Sequence, residues 1–321
     1  MPVAVEQWVE QIRAGDVRAL SRAISAIEDG TIHAERILQQ IFPFTGNSYL
    51  LGMTGAPGTG KSSLVDRLAA AYRQQGQQVG IIAVDPTSPF TGGAILGDRI
   101  RMQSHATDAG IFIRSMATRG FLGGLARATA DVALVLDAAG KQSILIETVG
   151  VGQDEVDIVR LADCTLVVMV PGMGDDVQSM KAGLMEIGDI FVLNKSDREG
   201  ADRLEQQLRA MLEIAPPRDD WHPPVVRTVA TENKGIDALA AAIADFRRHF
   251  EASGQRLAKK IERWRQRLVE LVEARLVERV IESVGQTGIE SLAAEVAERK
   301  KDPYAAVNEL LVRAGLTGVK N

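Results

Sequence analysis

The amino-acid sequence has 321 residues, of which 45% are hydrophobic and 25% charged, and its formal net charge is -5. This length is enough for roughly two domains, and the composition is that of a globular protein rather than a disordered or fibrous one. The acidic balance gives no basic excess for coating nucleic acid. Apolar runs such as 238–244 are far shorter than the roughly 20 residues that cross a bilayer. We therefore expect no nucleic acid and no membrane among the partners.

The cysteine content and the N-terminal residues indicate the compartment. Cys164 is the only cysteine, so the chain forms no internal disulfide, and its place at the start of a predicted core strand is typical of a small buried hydrophobe. The first residues show neither a secretory nor a transit pattern. We expect a cytoplasmic protein.

The predicted elements change character near Tyr49. Residues 5–41 carry apolar positions at helical spacing, with Asp16 placed to begin a helix and Gly30 to end one, and they predict a small helical prefix. Short apolar runs then alternate with longer helical patterns. These runs are 50–53, 79–84, 111–113, 144–146, 166–170, 190–193 and 225–226. Strands that are apolar on both faces and separated by helices predict an α/β fold, a mostly parallel sheet with helices on both faces.

The C-terminal region has a different pattern. The proline-rich segment 215–224 is incompatible with a helix interior or a central strand, and after residue 250 no strand-like run returns. A long amphipathic pattern covers 255–283, and further helical segments follow Gly285 and Asp302. The sequence thus predicts a helical extension over 1–45, an α/β domain over 46–250 and a helical arm over 251–321.

The apolar positions of the arm allow two interpretations. They are Leu257, Ile261, Trp264, Leu268 and Leu271. Their 4-3-4-3 spacing is typical of a coiled-coil seam, but it lasts for only about two heptads. The spacing alone equally allows packing of the arm onto its own α/β domain.

The strongest local motif follows the first predicted strand and fits G-x-x-x-x-G-K-[ST] at every fixed position. It consists of Gly55, Ala56, Pro57, Gly58, Thr59, Gly60, Lys61 and Ser62, with the helix continuing at Ser63. The glycines let backbone N–H groups converge on a phosphate, and the helix N-terminus adds partial positive charge. Lys61 is expected to reach the β- and γ-phosphates and Ser62 to bind Mg²⁺. The motif predicts a nucleoside triphosphate site.

A second motif, Asn194-Lys195-Ser196-Asp197, follows the strand 190–193. The Asp197 carboxylate would accept from N1–H and the exocyclic amine of guanine, a donor pair that adenine lacks. Lys195 would cover the base plane with its stem, and Asn194 would hold the loop. After the last strand, a backbone N–H of Ala230 or Thr231 would lie near guanine O6. These residues favour GTP over ATP.

Acidic residues at the ends of other strands are candidates for Mg²⁺ and water. Glu147 ends an apolar strand at the place from which P-loop enzymes hold Mg²⁺. Asp85 and Asp98 border a second loop and are hard ligands, although Asp98 is equally placed to cap a helix. Gln153 is a candidate for orienting the attacking water, with a polar helix N-terminus as the alternative. We count Lys61, Glu147, Gln153 and Asp98 as the catalytic candidates.

Together these motifs resemble the MeaB/ArgK family of P-loop GTPases, which is related to the metallochaperone GTPases. The resemblance rests on 55–62, 85–89, 97–99, 147–153 and 194–197, and it covers essentially the whole chain. It implies binding of GTP or GDP with Mg²⁺, and chaperoning of an adenosylcobalamin-dependent acyl-CoA mutase such as methylmalonyl-CoA mutase. GTP hydrolysis would gate cofactor delivery and protect or rescue that mutase. It further implies a homodimer held by the C-terminal helices.

One more segment matches the family. By the same resemblance, residues 171–183 form an extra switch loop in which Asp175, Gln178 and Lys181 relay the presence of the mutase to the nucleotide. The alternative is a loop that leads into an ordinary amphipathic helix.

The sequence allows three other functions. A metallochaperone for nickel or cobalt would need clustered Cys and His, whereas this chain has one cysteine and four scattered histidines. A protein kinase linked to amino-acid transport would use adenine and a kinase catalytic loop, and the sequence shows no such loop. A scaffold would hold its nucleotide without turnover. Because the P-loop contains no arginine to neutralise transition-state charge, we expect GTP hydrolysis that is slow alone and accelerated by the partner.

Overall fold

The computed structural model describes residues 5–85, 107–117, 124–148, 161–172, 186–214 and 220–316, with the backbone alone for 85, 117 and 124–127. The chain divides into two compact units, Met1–Ala258 and Lys259–Asn321. None of the helices within the described ranges is long and apolar enough to cross a membrane.

The first unit is built on one seven-stranded sheet in which every neighbouring pair is parallel. The strands are β1 (Tyr49–Thr54), β2 (Val79–Asp85), β3 (Ile111–Ala117), β4 (Ser143–Glu147), β5 (Cys164–Met169), β6 (Ile190–Leu193) and β7 (Val225–Arg227). Their order across the sheet is β3-β2-β4-β1-β5-β6-β7. The predicted α/β fold with a parallel sheet is confirmed.

The helices of the described ranges flank this sheet and form the C-terminal segments. They are α1 (Val5–Arg13), α2 (Val17–Glu28), α3 (Ile32–Ile41), α4 (Lys61–Gln74), α5 (Gly124–Ala138), α6 (Ala201–Ile214), α7 (Ile236–Ala252), α8 (Gln255–Ala297) and α9 (Pro303–Arg313).

The helical prefix, α1 to α3, shares its core with one face of the sheet. Ile12, Ile24 and Ile37 are fully buried in the same cluster as Ile82 of β2 and Val135 of α5. The Asp16 carboxylate accepts from the N–H of Ala19 and caps α2, as its position in the sequence predicts. The prefix therefore contributes to the core of the first unit.

The chain enters β1 through a carboxylate bound by backbone groups. Asp137, at the end of α5, accepts from the N–H groups of Gly46, Asn47 and Ser48 at 2.5, 3.3 and 3.0 Å. Since β1 leads directly into the glycine-rich motif, these bonds fix the strand from which that motif starts.

The opposite face of the sheet packs against α4 and α7. Leu64 and Leu68 of α4 and Leu239 of α7 are completely buried there beside Leu51 of β1 and Val168 of β5. Cys164 lies in the same cluster and is fully buried, as expected of a small hydrophobe. Helix α6 covers Phe191 and the outer strands on the prefix side of the sheet. Both faces are thus covered, which explains why the strands are apolar throughout.

The second unit is helical. Backbone angles of φ 71° and ψ 160° at Gly285 interrupt α8, where the sequence pattern breaks. Asp302 caps α9 by accepting from the N–H groups of Tyr304 and Ala305, and Pro303 takes the first helical position. Lys301 forms ion pairs with Glu295 and Glu309. Many large apolar side chains of α8 are exposed: Leu257, Ile261, Leu268, Val269, Val272, Leu276, Val277 and Ile281.

Two buried tyrosines make the free energy of unfolding fall at alkaline pH. Burial raises the pKa of Tyr49 and of Tyr72 above the ordinary value, and the neighbouring Cys164 adds to both shifts. The folded protein keeps both protons, whereas the unfolded chain loses them above about pH 10. The stabilisation is therefore complete below about pH 10 and is lost as the pH rises, by about 1.4 kcal/mol per pH unit for each tyrosine.

We expect Tyr72→Phe to reduce the fall of stability with pH by the contribution of one tyrosine. The measurement is the free energy of unfolding in urea between pH 9 and 11. Values between pH 7 and 9 are the reference, since there both states hold these protons. An unchanged slope above pH 10 would contradict the assignment of Tyr72.

Candidate functional site

The predicted motifs meet at one edge of the sheet. Parallel strands bring their carboxyl ends together, and β1, β4, β6 and β7 each end at a predicted site residue or motif. Because β1 lies between β4 and β5, the loop after β1 has the end of β4 on one side and the loops after β5 and β6 on the other. Ligand sites of open α/β sheets lie at such an edge.

The loop after β1, the predicted phosphate cradle, is tight and requires its glycines. A Cβ on Gly55, at φ 142°, would lie 2.2 Å from the Val168 carbonyl oxygen, and one on Gly60, at φ 92°, would lie 2.4 Å from Nδ2 of Asn194. Gly58 also has a positive φ, of 79°. L-residues rarely adopt this backbone region, so the predicted P-loop conformation depends on glycine at these positions.

The two polar side chains that end the motif begin helix α4 and are buried. Lys61 is 5% exposed, and its Nζ donates to the carbonyl oxygens of Gly55 and Ala56 at 2.7 and 3.2 Å. Ser62 donates from Oγ to Oε1 of Glu147 at 2.6 Å. Glu147, also 5% exposed, ends β4 beside β1. The ammonium group thus lies against the cradle, and a hydroxyl meets a carboxylate next to it.

These oxygens fit a Mg²⁺ site. Mg²⁺ prefers hard oxygen ligands, and in nucleotide sites one or two protein oxygens act together with phosphates and waters. Ser62 Oγ and the Glu147 carboxylate lie next to each other beside the cradle, joined by a hydrogen bond. Asp85 ends β2 two residues beyond Ala83, which pairs with Glu147, while its side chain lies outside the described residues.

Asn194, which is 2% exposed, joins the cradle to the loop after β7. Its Nδ2 donates to the Thr59 carbonyl at 2.8 Å, and its Oδ1 accepts from Thr228 Oγ1 at 3.1 Å and from the Ala230 N–H at 3.2 Å. The backbone N–H of Asn194 donates to Met169 at the end of β5. One amide therefore connects the loops that follow β1, β6 and β7.

The rest of the second motif lies beside the cradle. Lys195 adopts a positive φ of 54° and donates from Nζ to the Gly58 carbonyl at 2.7 Å. Ser196 donates from both N–H and Oγ to the Thr228 carbonyl. Asp197 is exposed. A hydrogen bond from Lys234 to Glu232 raises the pKa of Lys234, and the charges of Glu232 and of Asp197 add to that shift.

Comparison with known proteins agrees with this arrangement. The sequence model of the family described as "Methylmalonyl Co-A mutase-associated GTPase MeaB" matches residues 20–285. The chain belongs to the MeaB family. The GTPase assignment predicted from the two motifs is confirmed at the level of this family.

Individual relatives extend the match of this MeaB-family chain. A protein of Pyrococcus abyssi is 49% identical over 310 residues, 96% of each chain. GTPase ArgK of Escherichia coli is 36% identical over 255 residues, 77% of each. The mouse mitochondrial methylmalonic aciduria type A homolog is 34% identical over 217 residues, 66% of this chain and 52% of that protein. The crystal structure of an LAO/AO transport system kinase matches with TM-score 0.72 and 25% identity, covering 95% of this chain and 96% of that one.

The predicted residues of the MeaB-family site divide into three groups. The cradle residues and Glu147, Asn194 and Ala230 come together at one edge of the sheet, with Lys195 against the cradle. Pro57, Ser63, Asp197 and Thr231 are exposed at the same edge. Asp98, Gln153, Asp175, Gln178 and Lys181 lie outside the described residues, so their predicted roles stay predictions.

The structure adds residues that the sequence did not indicate. Thr228 binds Asn194 through its hydroxyl, and Arg67 of α4 donates to the Ala230 carbonyl. A single threonine after a three-residue strand and one arginine on a helix belong to no recognisable motif. Within the described part of the chain, no group of three or more His, Cys, Asp and Glu side chains forms a possible metal centre, and the buried Cys164 offers no accessible thiolate.

The Asn194 bridge gives a direct test. Asn194→Ala leaves the buried Ala230 N–H and the Thr59 carbonyl without this partner, so we expect the free energy of unfolding to fall by about 1–3 kcal/mol. GDP affinity should fall about tenfold, because the cradle and the loop after β7 are no longer joined. Urea unfolding and titration calorimetry measure the two effects.

The matched control is Gln207→Ala on the exposed side of α6, which should change neither quantity. Unchanged stability and GDP affinity in Asn194→Ala would contradict the bridging role.

Proposed function

We propose that this chain is a GTP-hydrolysing chaperone that gates adenosylcobalamin loading and protects or reactivates a cobalamin-dependent acyl-CoA mutase. The observation that carries the nucleotide chemistry is the Asn194 bridge, which holds a base-binding loop against a phosphate cradle. The family description names methylmalonyl-CoA mutase as the associated enzyme. The client in this proposal is that mutase or a related one.

Recognition of guanine is assigned to the exposed carboxylate of Asp197. In this proposal it accepts from the two guanine donors. The backbone N–H of Thr231 donates to O6, because that of Ala230 is already bound to Asn194. Asp197 lies close enough to Lys234 for the two charges to interact. Adenine presents no matching pair of donors.

The phosphate side of the site is assigned to the cradle and the buried polar pair. Backbone N–H groups of the cradle and the N-terminus of α4 bind the phosphates. Lys61 lies against the cradle carbonyls and is positioned to move onto the β- and γ-phosphate oxygens. Ser62 and Glu147 would hold Mg²⁺, with Asp85 and Asp98 as additional ligands or partners of its waters. The bound cation supplies charge neutralisation at the transferring phosphoryl group.

Hydrolysis is proposed to be slow in the isolated protein. The motif 55–62 contains no arginine, and an arginine that neutralises the transition state accelerates related GTPases by orders of magnitude. Gln153 is proposed to orient the attacking water, and Asp175, Gln178 and Lys181 to transmit contact with the mutase. The mutase thus completes the site in trans.

The chain is also proposed to form a homodimer through α8 and α9. Leu257, Ile261 and Leu268 of the predicted seam are 65, 60 and 59% exposed, and Val272 continues the exposed set. Trp264 and Leu271 are half-buried. Exposed apolar surface of this extent is typical of an interaction site, and a second copy of the arm offers a matching surface.

The decisive experiment measures phosphate release from GTP and from ATP, with and without each cobalamin-dependent mutase of the source organism. We expect turnover of GTP alone, increased at least about tenfold by one mutase that supplies the missing transition-state charge. Lys61→Ala should abolish turnover both with and without the mutase.

Two outcomes would contradict the proposal. Equal use of ATP would favour a kinase-like activity, and the structural relative is named a kinase. If GTP turnover is specific but no mutase changes it, the GTPase activity stands and the chaperone role is contradicted.

The dimer is tested by sedimentation equilibrium. Leu268→Glu combined with Val272→Glu places charges on the exposed face of α8, and we expect the dimer dissociation constant to rise at least about 100-fold. The control is Ile214→Glu, at an exposed apolar position on α6. A wild-type protein that is monomeric at all concentrations, or a double variant that still dimerises, would contradict the assignment of this face.

A further inference from the structure

Helix α4 reaches the loop after β7 through one arginine. Arg67 lies six residues after Lys61, where the helix begins, and its Nε donates to the Ala230 carbonyl at 3.1 Å. The Arg67 side chain is 40% exposed, whereas Ala230 is 3% exposed. A partly exposed cation therefore binds a buried carbonyl at the base side of the site.

Both backbone polar groups of Ala230 are bound from outside their own loop. The N–H donates to Asn194, and the carbonyl accepts from Arg67 as well as from the N–H of Asn233 within the loop. Asn194 in turn donates to Thr59 in the cradle, and α4 begins where the cradle ends. These contacts form a closed ring from the cradle through Asn194 and Ala230 to Arg67 and back along α4.

The loop itself is small and internally bonded. The turn Ala230–Glu232 ends at Asn233, at φ 56°, and Val229 exchanges backbone hydrogen bonds with Lys234. A Cβ at Gly235 would lie 2.1 Å from the Arg227 carbonyl, so the return of the chain is tight as well. The loop is also bound from outside, by Asn194 and Arg67 at Ala230 and by Ser196, which donates to the Thr228 carbonyl.

We propose that Arg67 is a positioning residue for guanine recognition. It fixes the position of the Ala230–Thr231 backbone relative to the substituent at C6 of the base. The inference rests on the proposed guanine site. Since Arg67 and the phosphate-binding end of α4 belong to one rigid helix, the residue sets the spacing between the base loop and the phosphates. Arg67 acts through the loop and does not itself touch the nucleotide.

Three substitutions separate the hydrogen bond from charge and bulk. Gln places a neutral N–H donor at the same distance along the side chain as Arg Nε, Met places a methyl group there, and Glu places an acceptor there. Arg67→Gln should retain the affinity for GDP, and Arg67→Met should lower it. Arg67→Glu should lower it further, because the carboxylate repels the Ala230 carbonyl. Arg248→Met, at an exposed arginine of α7, is the matched control.

The readout is the affinity for GDP and for 6-thio-GDP, which differ only at C6 and are not hydrolysed. We expect the wild type to prefer GDP, because sulfur is the weaker acceptor. Arg67→Met should weaken GDP binding about fivefold, the effect of about one hydrogen bond, and bring the two affinities together. Arg67→Gln should restore the preference, and every variant should be folded at the temperature of the assay.

The result that overturns the inference is an equal loss of affinity for both nucleotides, or a loss of preference in Arg67→Met that Arg67→Gln fails to restore. A separate variant tests the underlying site: Asp197→Asn should shift preference from GDP to XDP, since an amide can donate to the 2-oxo group of xanthine. If that shift is absent, the proposed guanine site fails whatever the Arg67 variants do.

Discussion

The nucleotide site depends on the dual hydrogen-bonding capacity of one buried amide. Asn194 donates to the cradle and accepts from the loop after β7, so neither a carboxylate nor an apolar side chain reproduces both contacts. The close approach also requires Gly60, where a Cβ would lie 2.4 Å from Nδ2 of Asn194. The phosphate side and the base side of the site are therefore specified jointly, by a glycine on one loop and an amide on another.

The sheet order explains why these loops meet. β1 is the central strand. The strands β4, β2 and β3 lie on one side of it, and β5, β6 and β7 lie on the other. Glu147 is brought to Ser62 from one side, and Asn194 and Ala230 approach from the other. This is the point at which open α/β sheets leave a crevice. The strand order thus determines which loops are neighbours at the site.

The strands and the two nucleotide motifs were predictable because each has a local cause. The strands are apolar on both faces since helices cover both, and the cradle requires glycine wherever φ is positive or backbones touch. Arg67 and Thr228 were not predictable, because their partners are 163 and 34 residues away and neither residue type is unusual in its element. The seam of the arm was only half determined, since its spacing is the same whether a helix packs on its own chain or on another.

The helical prefix limits how the protein can be shortened. Ile12, Ile24 and Ile37 form part of the wall against which Ile82 and Val135 pack. A fragment that begins at β1 would open this face of the sheet to water, and burying a large aliphatic side chain contributes about 1.5–3 kcal/mol. Residues 5–41 therefore act as structural support for the nucleotide-binding unit, and a minimal folded GTPase fragment has to retain them.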